Sequence, residues 1–268
     1  MTAGLKLGAV SYLNAEPLIW PLESGEIDHP HTIARALPGE VAGMLAGEEV
    51  HCALAPVTVM LDHPGFVSLP DVAISCRGPV ASVLLFHDDP LGDLETIWLD
   101  PASRTSNLLV QILRHRASDK ACRYIISTED EAPPVVNLPE RTGRLVIGDP
   151  ALSYASESSP ASGATDLGQL WKEQTNHPFT FARWIARNGD IGRTISPLVR
   201  QARDWSLRHL HELIEPLARK YDFRSSLVDR YLRQNITYMF GPREEAGERE
   251  FFVLAREIRR LQDSSADA

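Results

Sequence analysis

Short apolar runs bounded by polar clusters alternate along the chain with segments of helical period. Residues 6–10 read as a strand, 15–22 as a helix, 32–35 as a strand, 38–46 as a helix and 52–56 as a strand. Strands alternating with helices in this way build a parallel sheet inside a doubly wound α/β layer. Two further apolar stretches, 72–76 and 80–86, read as strand broken by the turn Arg77-Gly78-Pro79. After His87-Asp88-Asp89-Pro90 a second α/β pattern starts, with strand 96–99, helix 106–115 and strands 123–126 and 145–147. An amphipathic helix at 166–174 and a strand at 179–186 follow, and from residue 193 to about 262 the pattern is helical. Within it Leu198, Ala202, Trp205, Leu207, Leu210, Leu213, Ile214 and Leu217 fall at near-helical spacing and are expected in core contacts.

The segments around Phe86 and Phe179 separate these blocks. Read as crossings between lobes, they give a discontinuous first lobe of residues 1–86 plus 180–268 and an inserted second lobe of residues 87–179, with a ligand cleft between them. That is the plan of the type II periplasmic-binding-protein fold, an α/β two-lobe architecture, here with a helical C-terminal region.

Composition narrows the functional classes. The chain has 268 residues, 43% of them hydrophobic and 24% charged, which is enough for a large core and unlike a disordered segment. A net charge of −9 argues against nucleic acid or an anionic membrane as partner. No apolar run nears the ~20 residues of a membrane span. Residues 1–6 lack a cationic stretch leading into an apolar one, so a cytoplasmic protein is expected. Cys52, Cys76 and Cys122 lie far apart in apolar stretches and are expected as small buried hydrophobes.

Four polar segments sit at strand ends, where α/β proteins bind ligands. The first is VSYLNAEPL, residues 10–18, which offers Ser11, Tyr12 and Asn14, although Asn14 at this place can equally cap a helix. The second, LDPASRTSN at 99–107, gathers Ser103, Thr105 and Ser106 at a helix start, whose partial positive charge suits a carboxylate or phosphate. Ser103 or Thr105 serves as a plain cap on the alternative reading. The third, LVIGDPAL at 145–152, brings Gly148 for close backbone approach and Asp149 as either a cap or a cleft residue. The fourth, TNHPFTF at 175–181, can place the Phe179 ring beside a planar ligand. HExxH, GxSxG, GxGxxG and GxxxxGK[ST] are all absent, so no metal and no nucleotide cofactor is expected.

Taken in order, VSYLNAEPL, GPVASVLLF (78–86), LDPASRTS, LVIGDPAL and DLGQLW (166–171) before TNHPFTFARW resemble the MqnA family, the chorismate dehydratases of the futalosine route to menaquinone. The resemblance runs from about Leu5 to Trp184, with a weaker echo at 231–241. It implies the two-lobe binding-protein fold used as a lyase that converts chorismate to 3-[(1-carboxyvinyl)oxy]benzoate and water, with no cofactor. It also implies catalytic roles for Asn14 and Ser82. The chain carries Asn176 and His177 where the family has Thr-Gly-Leu-Pro-Phe, and asparagine tolerates the left-handed backbone such a turn needs. Two rivals stand beside this reading. One is a non-catalytic cytoplasmic solute-binding or sensor protein of the same fold. The other is the sister enzyme that forms 1,4-dihydroxy-6-naphthoate, whose Ser-Pro-Cys-Pro-Asn signature is replaced here by VSYLN.

Overall fold

The computed structural model of the chain describes residues 4–126, 131–156 and 163–266. Its elements follow in the order β1 (Lys6–Val10), α1 (Glu16–Glu23), β2 (Thr32–Ala36), α2 (Pro38–Ala46), β3 (Cys52–Pro56), α3 (Val59–Asp62), β4 (Val67–Cys76) and β5 (Val83–Phe86). Then come β6 (Thr96–Leu99), α4 (Thr105–Ala117), β7 (Arg123–Ile126), β8 (Thr142–Ile147), α5 (Gly148–Ser156), β9 (Ala164–Asp166) and α6 (Leu167–Thr175). The last are β10 (Phe179–Ala186), α7 (Gly189–Tyr221), α8 (Ser225–Arg230), β11 (Thr237–Phe240) and α9 (Pro242–Ala266). They form two compact units, Met1–Ser75 with Thr180–Gly241 and Cys76–Phe179 with Pro242–Ala268.

The first unit holds a six-stranded sheet in the order β11-β4-β10-β3-β1-β2. β1 runs parallel to β2 and β3, while β10 is antiparallel to β3. Every residue of β3 is buried, which is why its sequence is a continuous apolar run rather than an alternating one. α1 packs on α7, where Leu22, Ile27 and Ala202 form a cluster covered by Ile33, Leu198 and Trp205. α7 kinks at His209, whose Nδ1 lies 2.8 Å from the Trp205 carbonyl that the helix ladder would otherwise use. Ala202, Leu210, Leu213, Ile214 and Leu217 are buried as expected, and Leu198 and Trp205 are half-buried; Leu207 is 41% exposed, one position off the stripe through Ser206 and Leu210.

The second unit holds a five-stranded sheet in the order β7-β6-β8-β5-β9. β6 is parallel to β7 and β8, and β5 is antiparallel to β8 and β9. The division falls after Ser75 rather than at the expected 86/87, coincides with the expected 179/180, and adds a further change of unit after Gly241. β5 pairs within this second sheet, and α9 packs on α4 with its Phe251 ring 5.0 Å from Phe179 and 6.3 Å from Trp171. The chain therefore passes between units three times, after Ser75, Phe179 and Gly241. Apolar strands and an amphipathic helix announce that they are buried, not which core buries them. β11 also interrupts the stretch expected to be wholly helical, its Thr237, Tyr238 and Phe240 being strand formers. Among the described residues no helix is long and apolar enough to cross a membrane.

Candidate active site

In the second unit the parallel strands β6 and β8 end at Leu99 and Ile147, and antiparallel β5 begins opposite, with Val83 paired to Ile147. One sheet edge thus carries Ser82, the 100–107 loop and Gly148-Asp149. Hydrogen bonds tie the three together. The Gly148 N–H donates to the Ser82 carbonyl at 2.8 Å. Asp100 accepts the Ile147 N–H on one carboxylate oxygen at 3.0 Å and the Ala102 N–H on the other at 2.9 Å, the latter an Asx turn that opens the loop. Asn107 closes that loop from inside α4. Its Nδ2 donates to the carbonyls of Asp100 and Ser103 at 2.8 and 2.7 Å, and its Oδ1 accepts the Asp100 N–H at 3.1 Å.

Sequence reasoning passed over Asp100 and Asn107, although a strand ending in Asp-Pro and an Asn in the first turn of an apolar helix are visible signals. Ser103 takes the Ser106 N–H on its Oγ at 3.1 Å, so its hydroxyl is engaged in capping α4. Thr105 and Ser106 are buried in the first turn of the same helix. Gly148 has a φ of +68°, a conformation that a Cβ would strain, and Asp149 follows it half-buried in α5.

The turn leading to Ser82 is held by one carboxylate. Asp166 accepts the N–H groups of Val80 and Ala81 at 3.1 and 2.7 Å and caps α6 through the Gln169 N–H at 3.0 Å. Burial raises its pKa above the ordinary carboxylate range, against the pull of these backbone donors. α6 can lie this close because Gly168 has no Cβ: one would meet the Cys76 Sγ at 2.6 Å and the Gly78 carbonyl oxygen at 2.8 Å. Burial likewise pushes the Cys76 thiol up to about 12, consistent with a packing role.

Phe179 departs from its expected part. Its ring is 1% exposed and packs edge-on against Trp171 at 5.2 Å and against Phe251, so it serves the core rather than a ligand. Asn176 does adopt the left-handed backbone, with φ +59° at the end of α6, and Lys172 bonds its carbonyl and side chain at 2.9 and 2.7 Å. The neighbouring His177 is half-buried and donates its N–H to the Thr175 Oγ1 at 3.2 Å.

In the first unit VSYLN leaves β1 at its carboxyl end, where the Ser11 N–H donates to the Ala36 carbonyl at 3.0 Å. A short 3₁₀ turn, Leu13–Ala15, leads into α1, and its flanking residues Leu13 and Ala15 are buried while Ser11, Tyr12 and Asn14 are half-buried. Tyr12 and Ala15 occupy the two cap positions and neither cap is a side-chain hydrogen bond, so Asn14 is no helix cap. Sequence reasoning missed Glu16. Its side chain is 0% exposed and accepts from Arg35 at 2.8 and 3.2 Å, from Lys220 at 2.8 Å and from Tyr221. Burial alone would raise its pKa, but Lys220, Tyr221 and Arg35 together hold the carboxyl below its ordinary value. Along the same sheet, Ser75 Oγ and Thr180 Oγ1 share a buried hydrogen bond of 3.1 Å. Among the described residues no three His, Cys, Asp or Glu side chains gather as a metal ion would require.

A family described as menaquinone biosynthesis matches residues 5–257 of the chain. The chorismate dehydratase of Thermus thermophilus is 29% identical over 263 residues, which span 91% of this chain and 93% of that protein. Among solved structures, a protein from Archaeoglobus fulgidus is similar with a TM-score of 0.76 at 13% identity, covering 96% of this chain and 98% of that one. The periplasmic aliphatic sulphonate binding protein of Escherichia coli is similar with a TM-score of 0.62 at 16% identity, covering 97% and 94%. These structural likenesses are of fold alone, and the fold is the periplasmic-binding-protein-like one that the motifs implied.

Proposed function

The chain belongs to the menaquinone biosynthesis family, and from that premise we propose that it is a chorismate dehydratase, a hydro-lyase that converts chorismate to 3-[(1-carboxyvinyl)oxy]benzoate and water. The observation that carries the reading is the match to the Thermus enzyme along almost the whole chain. On this reading the substrate is a small dianion taken up in the cytoplasm, with no nucleic acid or membrane as partner.

The chemistry suits the residues. Loss of the proton on the ring carbon that bears the enolpyruvyl ether leaves a carbanion conjugated through the ring to its carboxylate. Departure of the neighbouring hydroxyl as hydroxide then makes the ring aromatic, which drives the reaction; proton and hydroxide together are the water released. The first turn of α4, with Thr105 and Ser106, suits the ring carboxylate on which charge accumulates, and Ser103 orients that turn through its capping bond. Asn14 and Ser82 act as donors to the leaving hydroxyl, with Ser11, Tyr12, Gly148 and Asp149 around the substrate. An amide and a hydroxyl are not bases at neutral pH, so the proton goes to the substrate's own enolpyruvyl carboxylate or to water, with Asp149 as the less favoured protein base.

Purified protein incubated with chorismate tests the proposal. Appearance of an aromatic enolpyruvyl ether with the loss of one water is the expected result. Tight binding of chorismate without turnover would replace the enzyme by the non-catalytic sensor of the same fold.

A further inference from the structure

Ser82 is 1% exposed, and its backbone is fixed from both sides by different means. On its C-terminal side the fixing is ladder: Val83 pairs with Ile147, and the Ser82 carbonyl accepts the Gly148 N–H. On its N-terminal side the ladder is gone. Ala81 stands at φ +63°, a left-handed conformation that disfavours any residue with a Cβ. What holds it there is the Asp166 carboxylate, whose two oxygens take the N–H groups of Val80 and Ala81. Asp166 is itself anchored, because it pairs with Leu84 across the β5–β9 ladder and begins α6.

We propose that Asp166 is a positioning residue for the dehydration: it clamps the left-handed Val80-Ala81 turn and thereby fixes where Ser82 stands. This rests on the chorismate dehydratase reading for its consequence, though not for its geometry. The side chain must be a carboxylate. Backbone N–H groups of Val80, Ala81 and Gln169 all point at its two oxygens; an amide would turn an NH2 toward one of these donors. The DLGQLW segment thus gains a role that the alternative, a plain N-cap for α6, does not contain.

The two roles separate experimentally, because Ser and Asn are good N-caps yet lack the second acceptor oxygen. The oxygen that caps α6 also takes the Val80 N–H, so Asp166→Asn keeps α6 capped and frees the Ala81 N–H, while the shorter side chain of Asp166→Ser keeps the cap and frees both turn donors. Each is expected to lower kcat by about 10²-fold with little change in KM, the loss that a misplacement of about 1 Å produces. In a Ser82→Ala background the same substitutions should cost little further, since Asp166 acts through Ser82. Near-normal kcat in both variants, or losses that simply multiply with that of Ser82→Ala, would overturn the proposal. Amide hydrogen exchange gives a readout that needs no turnover. Exchange at Val80 and Ala81 should rise by about 10- to 100-fold in Asp166→Ser, as for loss of a hydrogen bond to a charged group, while the β5–β8 amides stay protected. Unchanged exchange there would overturn the clamp. If the unaltered protein leaves chorismate intact, the dehydratase reading falls, and the exchange experiment still decides the clamp.

Discussion

The Gly148 N–H donates to the Ser82 carbonyl at 2.8 Å, one step beyond the Val83–Ile147 pair of the β5–β8 ladder. Through that bond two segments distant in sequence share one sheet edge. Asp100 adds the third by accepting the Ile147 N–H, so the end of β8 is the fixed point from which the serine turn, the α4 loop and the start of α5 are all hung. The geometry of this sheet edge accordingly rests on a backbone bond at a strand end together with the carboxylates of Asp100 and Asp166.

Two hydroxyls at the start of α4 are predicted to behave differently. Ser103 Oγ accepts the Ser106 N–H, so Ser103→Ala should cost about 1 kcal/mol of stability, as loss of a cap does, with kcat nearly unchanged. Thr105→Ala should mainly raise KM on the proposal that its hydroxyl anchors the carboxylate equally in ground and transition states while the helix terminus takes the charge that develops. Denaturant titration and steady-state kinetics on the two variants check the split; a KM effect confined to Ser103→Ala would reverse the assignment.

Gly168→Ala should destabilise the second unit by about 1–3 kcal/mol, as overpacking does. The new methyl would sit 2.6 Å from the Cys76 Sγ and 2.8 Å from the Gly78 carbonyl oxygen, and a buried sulfur and a backbone oxygen have little room to give. Equilibrium unfolding in urea measures the change. Stability equal to that of the parent would mean that α6 and the Gly78-Pro79 turn slide apart at little cost.

Strand and helix order was legible because burial writes period into sequence. The fully buried β3 and the amphipathic α6 stand where the pattern put them, and Asn176 takes the left-handed backbone its side chain tolerates. What stayed hidden was partnership. Nothing in the apolar run of β5 says that it joins β8, and nothing on the apolar face of α9 says that it covers Trp171 and Phe179. The same limit hid Glu16, an acidic residue in a first helical turn by sequence, whose burial depends on Arg35, Lys220 and Tyr221 arriving from two other elements. It also made Phe179 look available, because a ring at a strand start gives no sign of the rings that enclose it.

Glu16 predicts a pH dependence of stability. Its folded carboxyl is held below the ordinary value of 4.5, so as pH falls the unfolded chain takes up the proton first. The stability that Glu16 contributes is therefore present above about pH 4.5 and is lost as pH drops through the folded value. Asp166, shifted upward, contributes with the opposite sign in the same acid range, but it is common to the parent protein and to Glu16→Gln and cancels in their difference. Glu16→Gln should be less stable by about 1–3 kcal/mol near neutral pH, with the gap closing below pH 4.5. Urea titrations of both proteins across that range test it, and a gap independent of pH would show that Glu16 is not ionised in the fold.

Asn14→Ala and Ser82→Ala should lower turnover far more than they weaken substrate binding. Asn14 caps no helix, so its removal leaves the 3₁₀ turn and α1 intact. Ser82 is held by its backbone, so truncating its side chain leaves the bond to Gly148 in place. Both side chains are proposed to donate to a hydroxyl that becomes hydroxide, and a donor that strengthens only as charge develops acts on kcat rather than on the ground-state complex. Loss of one such donor typically costs about 10²- to 10³-fold in rate. Chorismate turnover and, separately, equilibrium binding of chorismate to each variant give the two numbers needed. Folded variants that retain near-normal turnover would remove both residues from the chemistry, and variants that lose binding as steeply as turnover would make them anchors for the substrate rather than donors to its leaving group.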